Sequence, residues 1–159
     1  MSGFDQIYRS ILTEGRIPSI FKKATPEEIA ERAVQYEKIQ IQEFLERKDV
    51  RKNKDGSYDV DGDVDFTGWK SMTKMTKLPV RFRKVGRSFF CYDCTSLTTL
   101  EGAPTTVDWS FYCSNCTSLT SLEGAPNTVG EDFYCKNTGR KFTVEEVRKH
   151  CNVGGMIYV

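Results

Sequence analysis

Phe89-Phe-Cys-Tyr-Asp-Cys-Thr-Ser-Leu-Thr-Thr-Leu-Glu-Gly-Ala-Pro-Thr-Thr-Val107 is followed 22 residues later by Phe111-Tyr-Cys-Ser-Asn-Cys-Thr-Ser-Leu-Thr-Ser-Leu-Glu-Gly-Ala-Pro-Asn-Thr-Val129. Another 22 residues on, Phe133-Tyr-Cys135 opens a third unit that then diverges. Upstream, Val64-Asp-Phe66 through Met72, Met75, Leu78-Pro79 and Val85 fits a degenerate first unit, with three extra residues between Met75 and Val85. A fixed period of this size marks a repeat solenoid, because one such unit cannot bury its apolar side alone and must stack on its neighbours.

The flanks read as closing elements. Thr143-Val-Glu-Glu146 is a capping box that opens a short helix with Val144 and Val147, and Gly154-Gly155 then releases a last strand, Met156-Ile-Tyr-Val159. This cap is expected from about residue 139. At the other end, Phe4, Ile7, Tyr8, Ile11 and Leu12 recur at helical spacing between Ser2 as N-cap and Gly15 as stop. Thr25-Pro26-Glu27-Glu28 then opens a second helix, with Ile29, Ala33, Tyr36, Phe44 and Leu45 on its apolar stripe, running to about Arg47. Between helix and repeats, Asp55, Asp59, Asp61, Asp63 and Asp65 invite a calcium loop. Set on Gly56, its first and last ligand positions fall on Arg51 and Gly62, neither of which is a ligand. The alternation of Tyr58, Val60, Val64 and Phe66 instead predicts a hairpin turning at Asp61-Gly62. The expected fold is α+β: a helical segment over 1–54, acting as cap or second binding element, then a leucine-rich-repeat-like β-solenoid of one sheet over 55–159.

Composition narrows the chemistry. The 159 residues carry 23 Lys+Arg against 22 Asp+Glu, a net charge of +1, so no bulk field steers nucleic acid or an anionic membrane. Hydrophobic residues make up 38%, and no apolar run approaches the roughly 20 residues of a membrane span. Met1-Ser-Gly-Phe-Asp-Gln lacks the basic and apolar regions of a secretory signal, so the expectation is a chain that is not exported. One histidine, His150, argues against Ser-His-Asp or Cys-His catalysis and against multi-His metal sites. The expectation is no enzyme.

The repeat unit at 111–126, the entry Asp55-Gly-Ser-Tyr-Asp-Val-Asp-Gly-Asp-Val-Asp65 and the ending from Lys141 to Lys149 together resemble a family of short leucine-rich-repeat-like proteins of tailed bacteriophages. The likeness covers about residues 55–159. It implies a phage-encoded accessory protein with a small β-solenoid, working in the cytoplasm of the infected bacterial host. It brings no catalytic residues with it.

Two sets of side chains in the repeats bear on binding. Cys91-x-x-Cys94 and Cys113-x-x-Cys116 lie 18 intervening residues apart, a two-knuckle zinc spacing. The repeat offers a competing reason for each cysteine, since small side chains fill these inward positions, and Thr138 replaces the last of them in the third unit. Buried free thiols are therefore the first reading and zinc the second, with no cofactor expected. If Phe89, Phe111 and Phe133 point inward, strand alternation sends Phe90, Tyr112 and Tyr134 outward in register, flanked by Tyr92, Ser114 and Lys136. An aligned row of aromatics is the composition of binding hot spots, whereas cross-strand pairs of this kind also stabilise a sheet with no partner involved.

Charge is segregated as well. Residues 67–87 hold seven bases and no acid, and residues 88–135 hold six acids and no base, so the solenoid is expected to be a dipole with a basic first unit. The partner-binding set is then Phe90, Tyr92, Tyr112, Tyr134 and Lys136, with Trp109 and the basic Arg81 and Arg83. The aromatic row sits in the acidic part, which disfavours nucleic acid. The expected function is a protein–protein interaction module that binds a host protein, such as a defence protein, and inhibits or redirects it. The alternatives are a zinc-containing nucleic-acid module and a minor structural or assembly protein of the virion. A solenoid edge can also pair two chains into a homo-oligomer.

Overall fold

The computed structural model describes residues 25–67, 69 and 74–159. The helix expected at Phe4–Leu12, and Met72 of the first unit, lie outside them. The chain divides into two compact units, Met1–Ile39 and Gln40–Val159. Helix α1 spans Pro26–Leu45, ending two residues before the expected Arg47. Its capping box is formed: Thr25 N donates to Glu28 Oε2 (2.7 Å) and Glu28 N to Thr25 Oγ1 (3.3 Å). In the first unit its side chains are largely exposed, Ile29 and Val34 among them.

The second unit is the expected solenoid, built on two sheets rather than one. Its strands are β1 (Val50–Lys52), β2 (Tyr58–Val60), β3 (Val64–Asp65), β4 (Phe82–Val85), β5 (Phe89–Phe90), β6 (Thr106–Val107), β7 (Phe111–Tyr112), β8 (Thr128–Val129), β9 (Phe133–Tyr134), β10 (Asn152–Val153) and β11 (Ile157–Tyr158). One sheet has the order β1-β2-β4-β6-β8-β10 and the other β3-β5-β7-β9-β11. In the two regular repeats the added sheet comes from the closing Thr-Val pairs, Thr106–Val107 and Thr128–Val129. These pairs carry no alternation like that of Phe-x-Cys, so the sequence does not mark them as strands. The first sheet already begins at Val50, upstream of residue 55.

The expected hairpin about Asp61-Gly62 does not form. β2 pairs antiparallel with β1, Val50 opposite Val60, through a turn in which Asp55 Oδ1 accepts from Ser57 N and Oγ. β2 then lies parallel to β4, and Asp61-Gly62 is a corner that carries the chain to β3 in the other sheet. The side-chain acceptor at Asp55 closes the earlier turn locally, and a second parallel partner takes the far edge of β2.

Strand pairing between coils stacks like on like. Val60, Val85, Val107, Val129 and Val153 form one inward column, and Val64, Phe89, Phe111, Phe133 and Ile157 the other. Phe89, Phe111 and Phe133 are fully buried and stack with centroids 5.4 and 5.2 Å apart. Leu97, Leu100, Leu119 and Leu122 fill the remaining side of each coil. At the start of the stack, Phe44 in the last turn of α1 packs on Phe66, Trp69 and Phe82.

The offset from β3 to β5, Val64 to Phe89, is 25 residues against 22 for Phe89 to Phe111, which places the three extra residues in the first coil. The last offset, Phe133 to Ile157, is 24, because helix α2 (Val144–His150) replaces the leucine loop. Its capping box at Thr143 and Glu146 is formed as the sequence predicts, and Val147 is buried.

Glycine sets the corner spacing. A Cβ on Gly130 would stand 2.1 Å from the Asp108 carbonyl oxygen of the preceding coil, so the coils could not close to strand distance. Gly56, in the β1–β2 turn at φ +80, has nothing within 4 Å of such a Cβ. Gly130→Ala should therefore lower the unfolding free energy by about 3 kcal/mol or more, and Gly56→Ala by only about 1 kcal/mol. Urea titrations of the two variants beside the wild type measure the difference.

Candidate functional site

The outward column of the second sheet runs Asp65, Phe90, Tyr112, Tyr134, Tyr158, in register from strand to strand. Its four rings stack face to face, with centroid separations of 4.7, 4.6 and 4.5 Å and planes within 12° of parallel. Parallel in-register strands impose this geometry, since equivalent side chains repeat at the ladder spacing. All four rings are half-buried. They spend their faces on one another and offer a comb of ring edges, with phenol groups at the positions of Tyr112, Tyr134 and Tyr158. Phe90, Tyr112 and Tyr134 thus stand outward and in register, as strand alternation predicts. Tyr158 was not among the expected residues, although the alternation in Met156-Ile-Tyr-Val159 signals it.

Polar groups border the comb. The Tyr134 hydroxyl donates to Asp132 Oδ2 at 3.1 Å, and the carboxylate beside it pushes the phenol pKa up to about 12. Lys136 places Nζ 5.4 Å from the centre of the Tyr158 ring, a cation–π contact. Tyr92 is exposed one alternation beyond Phe90.

Arg81 and Arg83 are not part of this face. Arg83 lies on β4 and Arg81 just before it, in the first sheet, where both line an open groove of about 300 Å³ with Asp55, Glu101 and Asn127. Each is paired: Arg81 with Asp55 at 3.0 Å and Arg83 with Asp59. Lys84 pairs with Asp108 at 2.9 Å and Lys77 with Glu101 at 3.8 Å. Lys77 and Lys84 thus meet acids of the following coil, and Arg81 and Arg83 meet acids of the preceding strand and its turn, so four bases of the expected basic edge face a carboxylate. Trp109 stands exposed at the corner between the sheets, with the Arg87 guanidinium 5.5 Å from its ring centre.

The cysteines point inward and use main-chain partners. Cys91 Sγ donates to Tyr112 O, Cys113 Sγ to Tyr134 O (both 3.3 Å) and Cys116 Sγ to Cys91 O (3.1 Å). All six cysteines are buried and free, and among the described residues no group of three or more His, Cys, Asp or Glu is arranged to hold a metal ion. Contact with Cys116, then burial, pushes the Cys91 and Cys94 thiols up, and burial does the same for Cys113. We place a proton on Cys116 as well. Its bond to the Cys91 carbonyl needs one, and a buried thiolate facing that oxygen would be repelled, which outweighs the neighbouring Cys91 and Cys94 thiols that act to lower it, Cys91 having already given its one proton to Tyr112 O.

No protein-family model, curated protein or solved structure matches the chain.

The best-defined titrating group in the solenoid is Asp59, nearly buried, whose carboxyl is held at about 2 by the Arg83 guanidinium and an Asn53 amide. A lowered carboxylate pKa stabilises the fold above the ordinary value near 3.9, and that stabilisation is lost as pH falls through the folded value. Asp59→Asn should accordingly be less stable than wild type at pH 7, with the gap closing between about pH 4 and pH 2. Urea midpoints over that range check it.

Proposed function

We propose that this chain is a non-enzymatic protein-binding module whose aromatic comb docks on the surface of a partner protein. The observation that carries the reading is the four-ring ladder of Phe90, Tyr112, Tyr134 and Tyr158 on one rigid sheet. Aromatic side chains give large contact area at low conformational cost, and stacking has already fixed these rotamers, so docking loses little further freedom. Tyr92, Lys136 and Asp132 supply a polar rim that sets orientation. Action would be steric: the module covers a surface that the partner needs. The resemblance of residues 55–159 to bacteriophage repeat proteins makes the partner a host protein and the site of action the infected cell.

The test is affinity capture from bacterial lysate with wild type and the double variant Tyr112→Ala/Tyr134→Ala, read by mass spectrometry. One stoichiometric protein should be captured by wild type and lost from the variant, with circular dichroism unchanged. Loss of two hot-spot rings weakens binding by roughly 30-fold or more. Equal capture by both proteins would overturn the reading.

A further inference from the structure

The comb has a symmetry of its own. Its column has five positions, with Asp65 at one end, Tyr158 at the other and Tyr112 at the centre. A second copy laid face to face about a two-fold axis along β7 reverses the order of coils and keeps the strand direction. Tyr112 then meets Tyr112, Phe90 meets Tyr134, and Asp65 meets Tyr158. In the neighbouring column Tyr92 meets Lys136. Because Lys136 leans over its own Tyr158 ring, its ammonium also comes within reach of Asp65 on the opposite copy. Both side chains are exposed, and among the described residues neither forms an ion pair within the chain. Among the described residues, Asp65 accepts from Thr67 alone, at its own turn.

We infer that the free protein pairs with a second copy of itself through this face, with Lys136 of each copy set against Asp65 and Tyr92 of the other. The inference rests on the reading of the comb as the binding face, and it adds the occupant of that face before the target arrives. An isologous contact of this kind requires a self-complementary patch, and a charge pair at each end with apolar rings between satisfies that condition. Two sheets of identical strand spacing also mesh rung for rung, which an unrelated surface does not guarantee. Five strands and two columns cover about 350 Å² per copy at normal sheet dimensions. That is under half of the roughly 800 Å² that each partner gives to a standard interface, so the pairing is weak and yields to a better-fitting target.

Sedimentation equilibrium of the full chain from about 10 to 500 µM should show the mass rising from 18.2 kDa toward twice that value, less steeply at high salt. Lys136→Asp should weaken self-association about tenfold, and adding Asp65→Lys in the same chain should restore it, because the pair is then reversed rather than broken. A wild type that stays monomeric throughout, or a dimer whose strength ignores both salt and Lys136→Asp, overturns the inference. The outcomes separate it from the docking reading. A monomer that still loses its captured target on Tyr112→Ala/Tyr134→Ala removes the dimer and keeps the docking face, whereas target capture that ignores those substitutions removes the docking face.

Discussion

Main-chain hydrogen bonds along the solenoid axis fasten each coil to the next at nearly constant length: Phe89 N to Ser110 O at 3.0 Å, then Phe111 N to Asp132 O and Phe133 N to Met156 O, both at 2.9 Å. With that spacing imposed, a residue can sit only above one of similar size and polarity. The valine, phenylalanine and outward tyrosine columns all follow from it. So does a column at the corners between the sheets, where main-chain N–H groups point away from any carbonyl. Asp63 Oδ1 accepts from Ser88 N, Ser88 Oγ from Ser110 N, Ser110 Oγ from Asp132 N, and Asp132 Oδ1 from Met156 N. Each coil supplies the acceptor that the next one lacks, and at Ser110 the bond is buried, so the donor left alone would cost a few kcal/mol. Asp132 thus does two things, closing this column and holding the Tyr134 hydroxyl.

The same spacing shapes the outer face. At 4.5–4.7 Å the rings have no room for water between them, so their faces are already in contact before any partner arrives. What remains for recognition is a stiff, narrow strip of edges. The leucine loops are shaped from within by a parallel device: Asp93, Asn115 and Asn137 adopt left-handed φ values of 60, 61 and 54, and their side chains link in series. Aspartate and asparagine tolerate that conformation best among residues with a side chain.

Much of this was legible in the sequence, for identifiable reasons. The 22-residue period and the Phe-x-Cys alternation are local and repeated, so they gave the stacked coils, the inward cysteines and three rungs of the ladder. The capping boxes at Thr25 and Thr143 are likewise local. Features that depend on the next coil were harder to read. Lys77 finds Glu101 and Lys84 finds Asp108 24 residues away, so charges that look segregated along the chain meet in part in space. The first sheet escaped because its Thr-Val strands lack the Phe-x-Cys alternation of the other sheet and are defined by pairing with their neighbours. The misplaced hairpin arose because Asp61-Gly62 and Asp55-Gly56 are equally good turn dipeptides, and only the Asp55 to Ser57 bonds decide between them.

Among the described residues, parallel strand partners are never more than 25 residues apart. Each coil therefore closes a loop of similar length at similar entropic cost and gains a similar set of contacts in return. Stability in such a chain scales with the number of coils rather than with the size of one core. The aromatic comb grows by the same unit, one ring per coil. Duplicating a single 22-residue segment would lengthen the recognition strip and strengthen the fold together, so reach and robustness are tied to one variable that a gene can change in one step.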